Sequence, residues 1–513
     1  MNSVADLLVS ASNRWPNEPA LKDISNDYSW NEVKTESNNL ASEIEYKIRE
    51  NLGSEPFAVA IWLNHSVNQA IAIFATSISG SIFTVINSSA TLAQVRHQLQ
   101  DSNSRILISD SKRIKELSKF EDLNNIQTIN INFKANKNLS PIQIKEPKQR
   151  ISTDVAAFMY TSGSTGKPKG VIVPHSTFID GAKIVGGYLE LNSSDKIISV
   201  LPLNFDYGLN QLFSAAYYGC QVIFHEYFLP IDFIDKINDL GITGFAVVPT
   251  MWGGILEAIK LLPEKKIFEN LRYITTAGGP HSIDLLERIH SSFNNTRIFV
   301  MYGLTESFRS AYLPPEELLN RVNSIGKAVP GVELLVLDEN LEPCPPGVVG
   351  ELYHRGLFVN YGYLNNPELT NRKYIKYPGS LSGAWETKMV KSGDFVKLDN
   401  EGFIYYVGRM DEQLKVSGFR ISPNEIEEFF YTQSYIKLCA AIQRNLSDKN
   451  VLVLYLESTK HLTEIELLQL QQKSKSFLPF YAVPSEIIQV ELIPKTSTGK
   501  IDYSELRELD HNK

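Results

Sequence analysis

Cysteine is scarce in this chain: Cys220, Cys344 and Cys439 lie far apart and form no CxxC pair. That excludes a disulfide framework and a cysteine-built zinc site, and it fits a reducing compartment. The nine histidines fall in no HExxH or comparable ligand spacing, so no structural metal is expected. Long runs of one charge are also missing. The net charge of -8 is spread along the sequence, and without a basic surface a phosphate backbone has nothing to bind, so nucleic acid is not expected as a partner.

No stretch reaches the ~20 strongly apolar residues of a bilayer-spanning helix. The least polar one, Ala70 to Ile86, is interrupted by Thr76, Ser77, Ser79, Gly80 and Ser81. Its pattern predicts a small-residue helix stopped at Gly80 and then a buried strand, Ile82 to Ile86. The N-terminal Met1-Asn-Ser-Val-Ala-Asp-Leu-Leu has neither the basic start nor the apolar centre of a signal peptide. These absences together predict a cytoplasmic protein with no integral membrane association.

What is present is an ordinary globular composition, 43% hydrophobic and 21% charged, on 513 residues. That length exceeds what one core supports, so at least two domains are expected. Val155-Ala-Ala-Phe-Met-Tyr, Ile197-Ile-Ser-Val-Leu, Gln221-Val-Ile-Phe and Gly244-Phe-Ala-Val-Val read as buried strands, and Ser282-Ile-Asp-Leu-Leu-Glu-Arg-Ile as a helix. The alternation predicts an α/β protein built from βαβ units with largely parallel, covered sheets. From Ser324 to Tyr406 short strands are broken at Pro330-Gly331, Pro345-Pro-Gly347 and Asp399-Asn-Glu-Gly402, which predicts a β-rich, more antiparallel subdomain. After Gly408-Arg-Met-Asp411 the remaining hundred or so residues read as an α+β piece of independent domain size.

Two segments carry chemistry. Tyr160-Thr-Ser-Gly-Ser-Thr-Gly-Lys-Pro-Lys-Gly170 follows an apolar strand, and its glycines, hydroxyls and lysines suit it to gripping phosphates. It is not a Walker A loop, which needs glycine at Thr161 and a hydroxyl residue at Pro168. Near the other end, Pro494-Lys-Thr-Ser-Thr-Gly-Lys-Ile-Asp502 presents a glycine-flanked lysine, Lys500. Taken alone, Lys500 is a solvated lysine, the commonest fate of that residue.

The first segment resembles the signature of the adenylate-forming superfamily, which includes acyl-CoA synthetases, nonribosomal-peptide adenylation domains and firefly luciferase. Met301-Tyr-Gly-Leu-Thr-Glu-Ser307, Gly350-Glu-Leu352, Ser392-Gly-Asp394, Gly408-Arg-Met-Asp-Glu-Gln-Leu-Lys-Val-Ser-Gly-Phe-Arg420, Leu478-Pro-Phe-Tyr-Ala-Val-Pro484 and Thr498-Gly-Lys500 follow in that family's order. The resemblance implies a large N-terminal AMP-binding domain, 1–408, made of two βαβ-type subdomains and the β-rich one. A hinge at 409–411 and a small mobile C-terminal domain, 412–513, would follow.

It also implies roles. Thr161, Ser162, Gly163, Ser164, Thr165, Gly166, Lys167 and Lys169 would cradle the phosphates of ATP. Glu306 would hold magnesium, with Gly303 and Thr305 close by, although a lone Thr-Glu could equally cap a helix. Tyr302 would stack on adenine against a wall of Ala277, Gly278 and Gly279. Asp394 would accept from the ribose hydroxyls and Arg409 would pair with ribose or phosphate. Lys500 would serve adenylation, Asp411 would be the hinge, and Lys415 and Gly418 would line a thiol tunnel after rotation.

The acyl pocket is expected around Leu201-Pro-Leu-Asn-Phe-Asp-Tyr-Gly208 and Val248-Pro-Thr-Met-Trp252, with Phe205, Asp206, Trp252 and Gly278 in contact with substrate. Two alignments stay open. One puts Asp206 where amino-acid-activating domains bind an ammonium; the other puts Phe205 where acyl-CoA synthetases keep an aromatic gate. A buried carboxylate without a cation is costly, so Asp206 implies an amine partner or a solvated loop. A similarity of Phe-Asp-Tyr-Gly-Leu-Asn-Gln to a bacterial acyl-ligase subgroup favours an acyl or small acid. Only 501–513 follow Lys500, so the acceptor is expected to be separate: free coenzyme A, or phosphopantetheine on a discrete acyl carrier protein. The expected activity is ATP- and Mg2+-dependent ligation of a small carboxylic acid to a thiol. The rivals are an amino acid–carrier protein ligase, a luciferase-like oxygenase and a non-catalytic relative. The last should have lost Lys500, Glu306 or the phosphate loop, and all three are present.

Overall fold

A helix that is buried on every side, Val67–Ile78, shows how closely the elements are packed. It starts at Ser66, which accepts from the Gln69 amide at 3.4 Å, and it ends two residues before Gly80, whose φ is +73°. The chain then enters the strand Ile82–Val85, as the pattern of small residues predicts. The computed structural model describes residues 1–511 except 52–56, 132–145, 162–167, 263–267, 280, 294, 322, 380–386, 410–413, 417–418, 422, 446–449, 479–481 and 497–498.

Two large sheets organise the chain. One has six strands in the order Gln127–Asn130, Ser104–Ser109, Ala58–Trp62, Ile82–Val85, Val155–Thr161, Lys169–Pro174. All neighbours are parallel except the last pair, an antiparallel hairpin with Thr161 opposite Lys169. In the second sheet Pro19–Lys22, Gln221–Phe224, Lys196–Ser199, Gly244–Val247, Tyr273–Thr276 and Arg297–Tyr302 run parallel. Apolar strands of this type demand cover on both faces. One core cluster joins the two sheets and another packs helices such as Pro249–Lys260 and Ile283–Ser292 on the second sheet.

The β-rich region is expected as a subdomain, and its strands continue the second sheet. Ala311–Leu313 pairs antiparallel with Arg297–Tyr302, then with Ser324–Ala328, which pairs with Ile404–Arg409. Lys388–Leu398, Val349–Gly356 and Val332–Leu337 complete a path of antiparallel neighbours in a sheet of 14 strands.

The C-terminal part has cores of its own. In the strand Asn450–Ser458, Leu452, Leu454 and Leu456 pack with Ile426 and Phe430, while Val453 and Tyr455 pack with Ile493 and Leu506 on the other face. The uninterrupted apolar run thus reflects a strand covered on both sides, each large side chain contributing about 1.5–3 kcal/mol. Arg444 Nε donates to Asp510 Oδ2 at 2.8 Å and Tyr455 OH to Asp510 Oδ1 at 2.6 Å, fixing the last helix, Tyr503–His511. Among the described residues no helix is long and apolar enough to cross a membrane.

His65, His175, His281 and His354 are buried, and burial lowers each imidazole pKa to about 4. In the unfolded chain they take a proton near the ordinary 6.5, in the fold only near 4. Acidification through that window loads protons onto the unfolded chain alone, so stability falls as pH drops, by up to about 1.4 kcal/mol per pH unit for each histidine. Asp206 and Asp394, whose pKa values burial raises, act in the opposite sense. The test is therefore a difference. Urea midpoints from pH 7.5 to 5 should fall less steeply for His354→Gln than for the wild type; parallel curves would show that His354 is not held neutral.

Candidate active site

A cavity of 620 Å³ opens where the parallel strands of the second sheet end. Its wall includes Gly278 and Gly279 after Tyr273–Thr276, Tyr302 and Gly303 after Arg297–Tyr302, and Asp394, Arg409 and Lys500. Crevices beyond the carboxyl ends of strands are where open α/β sheets bind ligands.

Asp394 and Arg409 stand opposite each other on paired strands, with Arg409 Nε 3.1 Å from Asp394 Oδ1. The Tyr302 hydroxyl donates to the other carboxylate oxygen, Oδ2. Burial raises the Asp394 pKa against the pull of Arg409, and burial beside Asp394 pushes the Tyr302 phenol well up. Lys373 is half-buried here, its Nζ donating to the Ser392 carbonyl at 2.7 Å. Burial lowers its pKa, while Glu306 and Asp394 hold it up.

Thr305 and Glu306 lie in a loop after Arg297–Tyr302, not at a helix start. Asn360 Nδ2 donates to the Thr305 carbonyl at 2.7 Å, the Asn360 amide to the Glu306 carbonyl at 3.1 Å, and Thr177 Oγ1 to Asn360 Oδ1 at 2.9 Å. Tyr363 OH donates to Glu306 Oε1. The loop folds back so tightly that a Cβ on Gly303 would lie 2.2 Å from the Phe308 carbonyl oxygen.

Lys500 sits in a turn closed by the Gly499 amide to the Thr496 carbonyl, 2.9 Å, and the Thr496 amide to the Lys500 carbonyl, 2.7 Å. Thr250 Oγ1 donates to the Gly499 carbonyl, tying this turn to the N-terminal part. The Lys500 side chain lies over Gly278, where a Cβ would be 3.4 Å from Cε, and its Nζ is 5.9 Å from the Phe205 ring centroid. Gly278 has φ +94°, a conformation that a side chain would strain.

Asp206 opens the helix Asp206–Tyr218 and is buried, so it is not on a solvated loop. Burial raises its pKa, opposed first by Arg309 and then by Lys500. Phe205 packs edge-on against Tyr207 at 6.1 Å. Trp252 lies fully in the core and donates from Nε1 to Thr276 Oγ1 at 3.0 Å, so the structure does not bring it to the cavity wall; His281, 2.8 Å from the same hydroxyl, lines it instead.

Thr161 and Lys169 are the last paired residues of the hairpin formed by Val155–Thr161 and Lys169–Pro174. Ser162, Gly163, Ser164, Thr165, Gly166 and Lys167 lie outside the described residues, as do Asp411 and Gly418. The hairpin is stapled to the helix Leu92–Asp101 by Tyr160 OH to Asp101 Oδ2, 2.8 Å, and by His97 Nε2 at 2.9 Å from the Pro168 carbonyl. Lys415 belongs to the strand Leu414–Val416, paired with Phe419–Ile421. Thr250 lies in the expected pocket segment Val248–Trp252, whereas Arg309, Tyr363 and Lys373 carry no motif of their own; of these only Arg309, a lone charge in Phe308-Arg-Ser-Ala-Tyr-Leu313, leaves a trace in the sequence.

Residues 8–364 match the family model described as AMP-binding enzyme. The chain belongs to the AMP-binding enzyme family. This AMP-binding enzyme is 28% identical to zwittermicin A synthase ZmaJ of Bacillus cereus over 98% of its own length and 94% of that protein's. It is also 29% identical to bacitracin synthase 3 of Bacillus licheniformis, again over 98% of its own length, but it spans only 8% of that much longer protein. Among solved structures, O-succinylbenzoate coenzyme A synthetase of Bacillus subtilis in complex with ATP and magnesium superposes with a TM-score of 0.82 at 25% identity, over 98% of this chain and 99% of that one. In this AMP-binding enzyme, Gly303→Ala should lower Tm and weaken ATP binding at least about tenfold, since backbone must move to admit the methyl. Gly187→Ala, on the helix His175–Tyr188 with a Cβ that would come no closer than 3.4 Å to the Tyr218 hydroxyl, should bind ATP normally in isothermal titration calorimetry; equal behaviour of the two variants would contradict the tight-loop account.

Proposed function

We propose that this AMP-binding enzyme activates a small carboxylic acid with ATP, forming an acyl-adenylate and releasing pyrophosphate, and then passes the acyl group to a thiol. The observation that carries the reading is Lys500, seated over Gly278 and Phe205 in the same cavity that Tyr302, Asp394 and Arg409 line.

Attack of a carboxylate on the α-phosphate brings two anions together. At ~4 Å such a pair repels by about 4 kcal/mol at an effective dielectric of 20. A cation held where they meet offsets this and follows the charge that builds in the transition state. Lys500 is that cation. Tyr302 would face adenine, with Ala277, Gly278 and Gly279 as the opposite wall. Asp394 would accept from ribose, exchanging its contacts to Tyr302 and Arg409, and Arg409 would turn to ribose or phosphate. Thr161, Lys169 and the loop they flank would hold the phosphates.

Among the described residues no cluster of three His, Cys, Asp or Glu could cage a metal. Magnesium, which needs only one or two carboxylates beside phosphate oxygens, fits a single carboxylate on a braced loop, and Glu306 would hold it. Bound with the nucleotide, the ion supplies neutralisation of the phosphates.

The second half-reaction needs room for a thiol where Lys500 now sits. Rotation about 409–411, with Asp411 as pivot, would withdraw the Lys500 turn and bring in Lys415 and Gly418 to line a tunnel for coenzyme A or the phosphopantetheine of a discrete carrier protein. The separate cores of the C-terminal part support its moving as a unit, and Thr250–Gly499 is a contact that this rotation must break.

Lys500→Ala should slow adenylate formation by about 10²–10³-fold, measured as acid-dependent ATP–pyrophosphate exchange, while thiol transfer from a supplied acyl-adenylate stays near wild type. Equal losses in the two half-reactions would refute the role. Thr250→Val should selectively favour thiol transfer over adenylation in the same pair of assays; loss of both alike would assign Thr250 to folding.

A further inference from the structure

Arg309 is an unusual residue to find where it is. It is 3% exposed, and its Nε has no hydrogen-bond partner. No ion pair engages it among the described residues. Its guanidinium carbon lies 5.1 Å from the Tyr207 ring centroid, and the Tyr207 hydroxyl is already committed to Thr275 Oγ1. The strained backbone before it explains its direction. Phe308 is left-handed, φ 49°, and drives its ring into the core against Gly181; the next side chain then turns toward the Asp206 helix, over Tyr207.

A buried guanidinium carries five donors in a planar fork and loses water on burial, so leaving them unpaired is costly. Asp206 is the acid nearest in effect, yet it stays beyond ion-pair contact and also feels Lys500 and Glu306. One turn along the same helix face, Asn210 is 3% exposed and its Oδ1 likewise has no partner. Arg309 and Asn210 therefore keep bonding capacity, and a run of ring contacts leads from the Arg309 guanidinium over Tyr207 to Phe205, the ring that the Lys500 ammonium approaches. An alkyl chain placed there would leave the arginine unpaired for good. A carboxylate would take two of its N–H groups at once.

We infer that Arg309 is a specificity-determining residue that binds a second acidic group of the substrate, so the acid activated is one with two carboxylates. The inference rests on the acid-activating reading above. With Lys500 meeting the reacting carboxylate and Arg309 the distal one, Asp206 lies between two cations and is left either protonated or opposite an ammonium. Dicarboxylic acids and acidic amino acids share the chemistry that Arg309 recognises, and Asp206 divides them.

The experiment is ATP–pyrophosphate exchange by the full chain, without thiol, across acids matched in length. Linear dicarboxylic acids are set against the corresponding monocarboxylic acids, and glutamate and aspartate against glutamine and asparagine. Acids with the second carboxylate should exceed their partners by on the order of 100-fold or more in kcat/KM, because a neutral analogue leaves the buried cation unpaired. Arg309→Met should collapse that ratio towards one, chiefly through KM, and Arg309→Lys should restore part of it. A preference for dicarboxylic acids and a preference for glutamate or aspartate both uphold the inference. Preference for monocarboxylic or neutral amino acids, or an unchanged ratio in Arg309→Met, would overturn it and leave the ligase reading standing. Silence with every acid, while the wild type still binds ATP, would remove the ligase reading and this inference together. Should Arg309→Met fail to fold, the wild-type ratio alone decides.

Discussion

Tyr302 ends the last parallel strand of the large sheet, and Asp394 and Arg409 face each other on two of its antiparallel strands. Their mutual contact is where the two halves of that sheet agree on a geometry. A carboxylate this deeply buried is tolerable only if both oxygens are engaged, and each oxygen is taken by a group from a different half. Lys373 adds a second cation against the same acids. The cavity wall is consequently a set of charges that hold one another in place before any ligand arrives, and such preorganisation is what makes a site strong in a low dielectric.

The Lys500 turn meets this wall from the C-terminal part at the Thr250 hydroxyl, above Gly278 and at the face of Phe205. Among the described residues, the hydrophobic clusters built from residues 414–506 take in no side chain from the rest of the protein.

Strands at Val155, Ile197, Gln221 and Gly244 were legible because a strand covered on both faces must be a short continuous apolar run, and the stop at Gly80 because only glycine takes that φ cheaply. The residues gathered at the cavity were legible as motifs, since loops at strand ends need glycines and hydroxyls at fixed spacing. Other features left no local record. The join between the β-rich strands and the parallel sheet is made by pairing Ala311–Leu313 with Ser324–Ala328, a matter of hydrogen bonds between segments that no turn signal links. Trp252 sits beside a pocket segment in sequence, yet helix geometry turns it into the core. Lys373 and Tyr363 reach the site through long side chains from a helix end and a loop, positions that no spacing rule marks.

The staples that hold the phosphate hairpin have a further consequence. Tyr160–Asp101 and His97–Pro168 fasten it to a helix beside the six-stranded sheet, whereas Tyr302 and Asp394 belong to the fourteen-stranded one and Gly278 follows one of its strands. If the proposed contacts hold, a nucleotide gripped at both ends would be a cross-brace between the two sheets. Its triphosphate tail and its base would then be read from different sheets, so the span between them would act as a ruler for the length of what is bound.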